Sequence, residues 1–151
     1  MIAPQLFCTL FLDNHIKIKE STANITHEQS IQISSFGDNN IHWIVGHLVV
    51  ARCNFMMLLD VPSIWDWPAC KLFIPGSSPT VEAAAHLRFS NILADFDRTQ
   101  DQLLAALNRS KAADLEVTLE DKTIGEHLAE YAAHEAYHAG QLDILRQVIE
   151  G

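Results

Sequence analysis

Three histidines in this chain have the residue type and the spacing that a metal site requires. His134 and His138 lie four residues apart in the segment HEAYHAGQ, and His47 lies far upstream in the apolar segment NIHWIVGHL. On an α-helix, side chains at i and i+4 project from the same face, so two imidazoles at this spacing can bind one ion. A third neutral imidazole from another helix would complete a site for a first-row divalent ion with open coordination positions.

The environment of the histidine pair is predicted from a helical projection at about 100° per residue. His134 and His138 share a stripe with His127, Leu142 and Leu145, so this stripe is expected to face the core. A lone core histidine more often hydrogen-bonds to buried polar groups than binds a metal. The i, i+4 pair favours metal binding instead. His127 precedes His134 by two turns, or about 10 Å, so it is expected to line a pocket without sharing the ion.

The same segment also matches the HExxH pattern of zinc proteases, in which the glutamate is the general base. Only residues 139–151 follow His138, and the downstream extension that supplies a third ligand in many of these enzymes is absent. Such proteases bind peptides along a strand edge, and no strand is predicted here. The protease interpretation is therefore disfavoured, and Glu135, about 100° from His134 around the helix, is expected to be a flank or interface carboxylate.

The histidine of the upstream segment is also expected to face inward. The projection places Trp43 and Asn54 on the side of His47, whereas His42 points the other way and is predicted to be a surface residue. Cys53 lies about 120° from His47 and is a poor candidate for the same ion. The candidate pocket-lining residues are Trp43, Asn54, His127, Tyr131 and Gln141. For Trp43, Asn54 and Tyr131, ordinary core packing is at least as good an explanation, and Gln141 is expected either to support His138 or to contact the second helix.

Four amphipathic helices are predicted to position these side chains. The first runs from about Ala3 to Glu20 and is expected to bury Leu6, Phe7, Leu10 and Phe11. The others are predicted from Asp38 or Asn39 to about Asp60, from about Thr80 to Asn108, and from a capping box at Thr123 and Glu126 to about Ile149. Residues 61–79 contain four of the five prolines, which exclude a continuous helix there. The sequence therefore predicts an all-α four-helix bundle with a long crossover between helices 2 and 3.

Composition limits the class of protein. The 151 residues are 48% hydrophobic, which fits one domain spanning residues 1–151. A net charge of −9 argues against a nucleic-acid partner. Apolar runs such as residues 44–51 are expected to be too short to span a membrane, and no signal peptide is predicted. Three unclustered cysteines are expected to be free thiols, so a cytoplasmic location is predicted.

Taken together, the NIxWIxGHL segment, the crossover rich in Trp and Pro, and the HEAYHAGQ segment resemble the DinB-like superfamily. The resemblance covers the chain from the second helix to the end, in the order of one histidine, a long gap, and then HxxxHxGQ. It implies an up-and-down-type bundle, often a homodimer, with a divalent metal on His47, His134 and His138. All three positions are filled here. Members include thiol-dependent transferases, and the family name is not evidence of DNA binding.

Two classes of function follow from these expectations. The first is a metal-dependent enzyme acting on a small molecule, by thiol S-transferase-like or hydrolase-like chemistry, with a low-molecular-weight thiol as a co-substrate in the former case. The resemblance favours the thiol version. The second is a non-catalytic stress-response or binding module in which the metal is structural. Imidazole ligands suit zinc, nickel, copper and iron, so the identity of the metal stays open.

Overall fold

The computed structural model describes residues 2–151, and α-helices make up nearly all of their regular structure. Four of these helices are long and four are short, and a 3-10 turn, Met57–Leu59, extends the second long helix. The helices are α1 (Pro4–Thr22), α2 (His27–Ser30), α3 (Ile41–Met56), α4 (Trp67–Cys70), α5 (Val81–His86), α6 (Phe89–Arg109), α7 (Ala112–Leu115) and α8 (Ile124–Glu150). The all-α prediction is confirmed. Short strands β1 (Thr118–Leu119) and β2 (Lys122–Thr123), which were not predicted, form a small antiparallel hairpin before α8.

The four long helices pack as a ring in which each contacts two others: α1 and α3 each contact both α6 and α8. Side-chain contacts give their directions. Near the start of α1, Cys8 contacts Asn108 at the end of α6, and near the end of α1, Lys19 contacts Asp97 in the first half of α6. Helices α1 and α6 are therefore antiparallel. His42 meets Leu87 and Arg52 meets Thr99, so α3 and α6 run the same way. A chain that leaves α3 must therefore return to the far end of the bundle before α6 begins. Residues 60–88 make this crossover, which is longer than the predicted residues 61–79 because it also contains α5.

The third predicted helix is divided in two. The break between α5 and α6 falls at Leu87 and Arg88, and two histidines stabilise it: His42 Nε2–H donates to the carbonyl of Leu87 at 2.7 Å, and the amide of Phe89 donates to His27 Nδ1 at 3.2 Å. His42 is only 3% exposed, so the prediction that it is a surface residue was wrong. The crossover covers the side of α3 that the projection had assigned to solvent.

The buried face of α1 also differs from the prediction. Phe7 and Phe11 are buried as expected, but Leu6 and Leu10 are 52% and 39% exposed. The buried stripe continues through Asn14 and Ile18, which places the two leucines roughly 100° to one side. At the other end of the chain the predicted capping box is confirmed, because Thr123 Oγ1 accepts from the amide of Glu126 at 3.1 Å and the Glu126 carboxylate accepts from the amide of Thr123 at 2.7 Å.

Helix α3 is the most deeply buried of the four long helices, and every residue in it except Asn54 is buried. With its 3-10 extension, the segment Ile41–Leu59 is 19 residues long and apolar enough to cross a membrane by length and composition alone. The prediction from the sequence considered only uninterrupted apolar runs, such as residues 44–51, and did not recognise this longer segment. Burial is the more informative property, since 83% of the apolar window is buried inside the protein, which is the environment of a core helix.

Gly46 allows the crossover to lie directly on α3. A β-carbon at this position would overlap the ring of Phe73, which is fully buried. We expect Gly46→Ala to destabilise the protein by about 1–3 kcal/mol, the usual cost of overpacking a core. Gly140→Ala is the matched control on α8, because nothing lies within 4 Å of its added methyl group and alanine is the better helix former. Urea unfolding measures the change in the free energy of unfolding for each variant. A decrease of similar size in both variants would contradict this account.

Candidate metal centre

The structure brings together the three histidines that the sequence singled out. His47 projects from α3, and His134 and His138 project from the neighbouring α8. The Nε2 atom of His134 lies 3.0 Å from that of His47 and 3.1 Å from that of His138. The potential ligand atoms of all three lie within 4.8 Å of one another, so the group has the dimensions of a metal site.

A main-chain carbonyl orients the ring of His47. Its Nδ1–H donates to the carbonyl of Phe73 at 2.7 Å, and because a carbonyl can only accept, the proton of the neutral ring must be on Nδ1. The lone pair of Nε2 is then directed at the other two histidines. Trp43 stacks on the same ring at 4.8 Å between centroids and 9° between planes, so it lies directly beside the cluster.

A side-chain amide orients His138 in the same way. Its Nδ1–H donates to Oε1 of Gln141 at 2.6 Å, which again leaves the Nε2 lone pair facing the cluster. The amide nitrogen of Gln141 in turn donates to the Tyr137 hydroxyl at 3.2 Å. Of the two alternatives left open for Gln141, the structure shows the contact with His138. Such partners of ligating histidines usually fix the tautomer and the ring orientation.

His134 completes the arrangement but has no support of this kind. Its Nδ1 is buried and has no hydrogen-bond partner among residues 2–151, while its Nε2 contacts both other histidines. A proton on this Nε2 can point at only one of the two, so at least one of these contacts joins two lone pairs. A cation held by all three lone pairs would remove that repulsion. This donor set therefore fits a divalent metal.

Burial keeps the three imidazoles in the form that binds metals. Desolvation is the main cause that lowers the pKa of His47, of His134 and of His138, and for His138 the lowered pKa is about 4. Repulsion between the neighbouring rings adds to the effect for His134 and His138. All three are therefore neutral at pH 7, each with a free lone pair.

Glu135 does not face the cluster. Its side chain is fully buried, and its carboxylate accepts from Nε of Arg52 at 2.6 Å and from Nη2 at 3.1 Å. Glu135 is therefore not an exposed flank residue but a carboxylate buried between α8 and α3, and the protease pattern loses its general base. Arg52 was missed by the sequence analysis. The signal was that it is the only charged residue in the apolar segment Ile41–Leu59, and a buried charge requires a partner.

The other predicted pocket residues lie away from the cluster. Asn54 is exposed, Tyr131 packs on Phe55 at 4.7 Å between ring centroids in a separate part of the core, and His127 Nε2 lies 3.4 Å from the carbonyl of Leu119 in the hairpin. Cys53 is buried in the core and is not part of the cluster, as predicted.

A further histidine reaches Arg52 from α1. His15 Nε2–H donates to Asp97 at 3.0 Å, and its Nδ1 faces Nη1 of Arg52 at 3.5 Å. Burial, followed by the charge of Arg52, lowers the pKa of His15 to about 4, against 6.5 for a free histidine. The folded state therefore takes up this proton less readily than the unfolded state does, so stability is lost as the pH falls from about 6.5 to about 4.

We expect this histidine to contribute at most about 3 kcal/mol to the acid sensitivity of the metal-free protein. His15→Gln keeps a polar side chain but removes the titration. Its free energy of unfolding should therefore fall less steeply than that of the wild type between pH 6.5 and pH 4. If urea unfolding gives the wild type and His15→Gln the same dependence of unfolding free energy on pH across this range, His15 does not contribute to the acid sensitivity.

Comparison with known proteins agrees with the resemblance noted from the sequence. The family model for the DinB superfamily matches residues 17–142, a range that contains all three histidines of the cluster. None of the curated proteins matches the chain. Since the family match covers well over half of the 151 residues, and the fold is helical as in that family, this chain belongs to the DinB superfamily.

Proposed function

We propose that this protein binds one divalent transition-metal ion through the Nε2 atoms of His47, His134 and His138. The observation that carries the proposal is the convergence of three neutral imidazoles, two of which are held with their lone pairs directed at the third. A hydrogen-bonded histidine cluster without metal would need a proton for each contact. The tautomers fixed by Phe73 and Gln141 leave at most one proton for two contacts.

We further propose that the site acts on a small molecule. When bound, a divalent ion on three neutral ligands supplies Lewis acidity, which lowers the pKa of a water or thiol at an open position. The surrounding residues limit the directions from which a ligand can reach the ion. His47 and His138 are buried, and Trp43 covers one face of the His47 ring. His134 is only half-buried. A ligand would therefore approach from the side of His134.

Between the two enzymatic versions, the position of Glu135 favours thiol transfer. Hydrolysis by the HExxH route needs a carboxylate to take the proton from water, and this carboxylate is buried and bound by Arg52. A thiol has a pKa of about 8.5 and needs far less help to ionise. The remaining alternative is a module in which the metal only ties α3 to α8, which the placement of the ligands on these two helices also supports.

The proposal is tested with untagged, metal-depleted protein titrated with Zn²⁺ and Co²⁺. We expect one ion per chain, a higher melting temperature in the loaded protein, and a visible Co²⁺ absorption spectrum typical of nitrogen ligands. No binding at micromolar metal would contradict the proposal. The loaded protein is then assayed with low-molecular-weight thiols and simple electrophiles. Stabilisation by metal without any turnover would favour the structural module.

We also propose a homodimer, as the family resemblance implies. The exposed sides of α1 and α8 carry large apolar residues that a second copy could bury: Leu6, Leu10, Leu12, Ile16, Tyr137, Ile144 and Val148. Sedimentation equilibrium at micromolar concentration should show twice the mass of one chain, and charged substitutions at Leu6 and Leu10 or at Ile144 and Val148 should shift the mass toward the monomer. A wild-type protein with the mass of a single chain would contradict this proposal.

A further inference from the structure

The three histidines of the cluster are not held equally. His47 is oriented by the carbonyl of Phe73 and His138 by the amide of Gln141, at 2.7 Å and 2.6 Å. His134, which lies between them, has no partner for its buried Nδ1 among residues 2–151. Ligating histidines almost always donate their second ring nitrogen to such a partner, which sets the ring orientation. Something else must fix the position of His134.

The residue that follows His134 forms a buried ion pair between the two helices of the site. Glu135 on α8 and Arg52 on α3 form a two-bond ion pair at 2.6 Å and 3.1 Å, and both side chains are 0% exposed. The pair joins the same two helices as the cluster, only one residue along α8 from its central ligand. Charge-assisted pairs of this geometry are specific in direction as well as strong.

Arg52 also contacts α6, and these contacts fix the orientation of its guanidinium group. Its guanidinium lies 3.9 Å from the centre of the Phe96 ring, and Nη1 donates at 3.3 Å to the Phe96 carbonyl and at 3.3 Å to the Thr99 hydroxyl. These contacts tie the guanidinium to α6. Glu135 therefore anchors the α8 backbone, at the position of His134, to a fixed point in the core.

From this arrangement we infer that Arg52 and Glu135 are positioning residues for the metal centre, acting through His134. The ion pair takes the place of the missing hydrogen bond to the His134 ring by fixing the backbone that carries it. The inference rests on the proposed function, since it assumes that the cluster binds metal. It gives the glutamate of the HExxH pattern a role that differs from that of a general base.

The test separates positioning from simple stability. The double variant Arg52→Met/Glu135→Leu removes both charges together, and such replacements often leave stability unchanged or raise it. We expect its metal-free melting temperature to be close to or above that of the wild type. Its affinity for Co²⁺ and Zn²⁺ should nevertheless fall about tenfold or more, as when other supports of ligands are lost, and its Co²⁺ absorption spectrum should change.

A double-mutant cycle identifies the ligand through which the pair acts. In a His134→Ala background the same double replacement should change Co²⁺ affinity by less than about twofold, because the ligand that it positions is already gone. Gln141→Ala, which acts on His138, is the matched control and should still weaken binding in that background. Unchanged affinity and spectrum in the double variant, or equal losses with and without His134, would overturn the inference.

A conservative variant covers the case in which the double variant does not fold. Glu135→Asp keeps the charge but withdraws the carboxylate by one methylene group, so the fold should survive while the anchor is displaced. Weaker Co²⁺ binding with intact helix content supports positioning, and wild-type binding overturns it. If the wild-type protein itself binds no Co²⁺, the proposed function fails first and this inference with it, which distinguishes the two failures.

Discussion

Replacing His47, His134 or His138 by alanine, one at a time, is expected to weaken metal binding sharply. Each variant loses one of three ligands, which should cost more than the tenfold to hundredfold typical of losing a ligand's hydrogen-bond partner. Stabilisation by added metal should be lost as well, because a ligand present at about a hundred times its Kd stabilises a protein by about 2.7 kcal/mol. Metal content after dialysis and melting temperatures with and without Zn²⁺ measure both effects.

Two other histidines provide controls for this experiment. His127 lies on α8 like His134 and His138 but contacts the hairpin, so His127→Ala should leave metal content and stability nearly unchanged. His42→Ala should leave metal content unchanged but lower stability, because His42 is buried and donates to the carbonyl of Leu87. Wild-type metal content in His47→Ala would show that the three histidines do not form one site.

Breaking the buried ion pair from one side is expected to have the largest effect on folding. Arg52→Met leaves Glu135 as an unpaired buried charge, and Glu135→Leu does the same to Arg52. Either change should destabilise the metal-free protein by about 3–5 kcal/mol, because the remaining buried charge has lost the opposite charge that it pairs with among residues 2–151. The double variant should recover most of this loss. Urea unfolding measures all three, and single variants within about 1 kcal/mol of the wild type would contradict the prediction.

Features that depend on local geometry could be predicted from the sequence. The spacing of His134 and His138 fixes their common face on any helix, and the hydrogen bonds of the Thr123 capping box involve residues only three positions apart. Prolines at positions 62, 68, 75 and 79 similarly exclude a long helix in the crossover, whatever lies around it. The inward direction of His47 followed from its apolar neighbours, and the structure confirms that it is buried.

Features that depend on which element lies next to a helix could not be predicted in this way. His42 appeared exposed because a helical projection does not show that the crossover covers that side of α3. Glu135 appeared to be a flank residue because its partner, Arg52, lies 83 positions away in the sequence. The same reason applies to Leu6 and Leu10: the pattern gives a broad apolar face on α1, but only the positions of α6 and α8 decide which part is covered.

The placement of the ligands in the sequence has a consequence for the order of events in folding. His47 and His134 are 87 positions apart, so the unfolded chain holds only the local pair His134 and His138 in proximity. Two imidazoles without the third form a weak site, and the entropy of closing so long a loop must be overcome before the third can join. A metal ion would therefore be captured after α3 and α8 have docked. Added metal should slow unfolding and leave the rate of folding nearly unchanged.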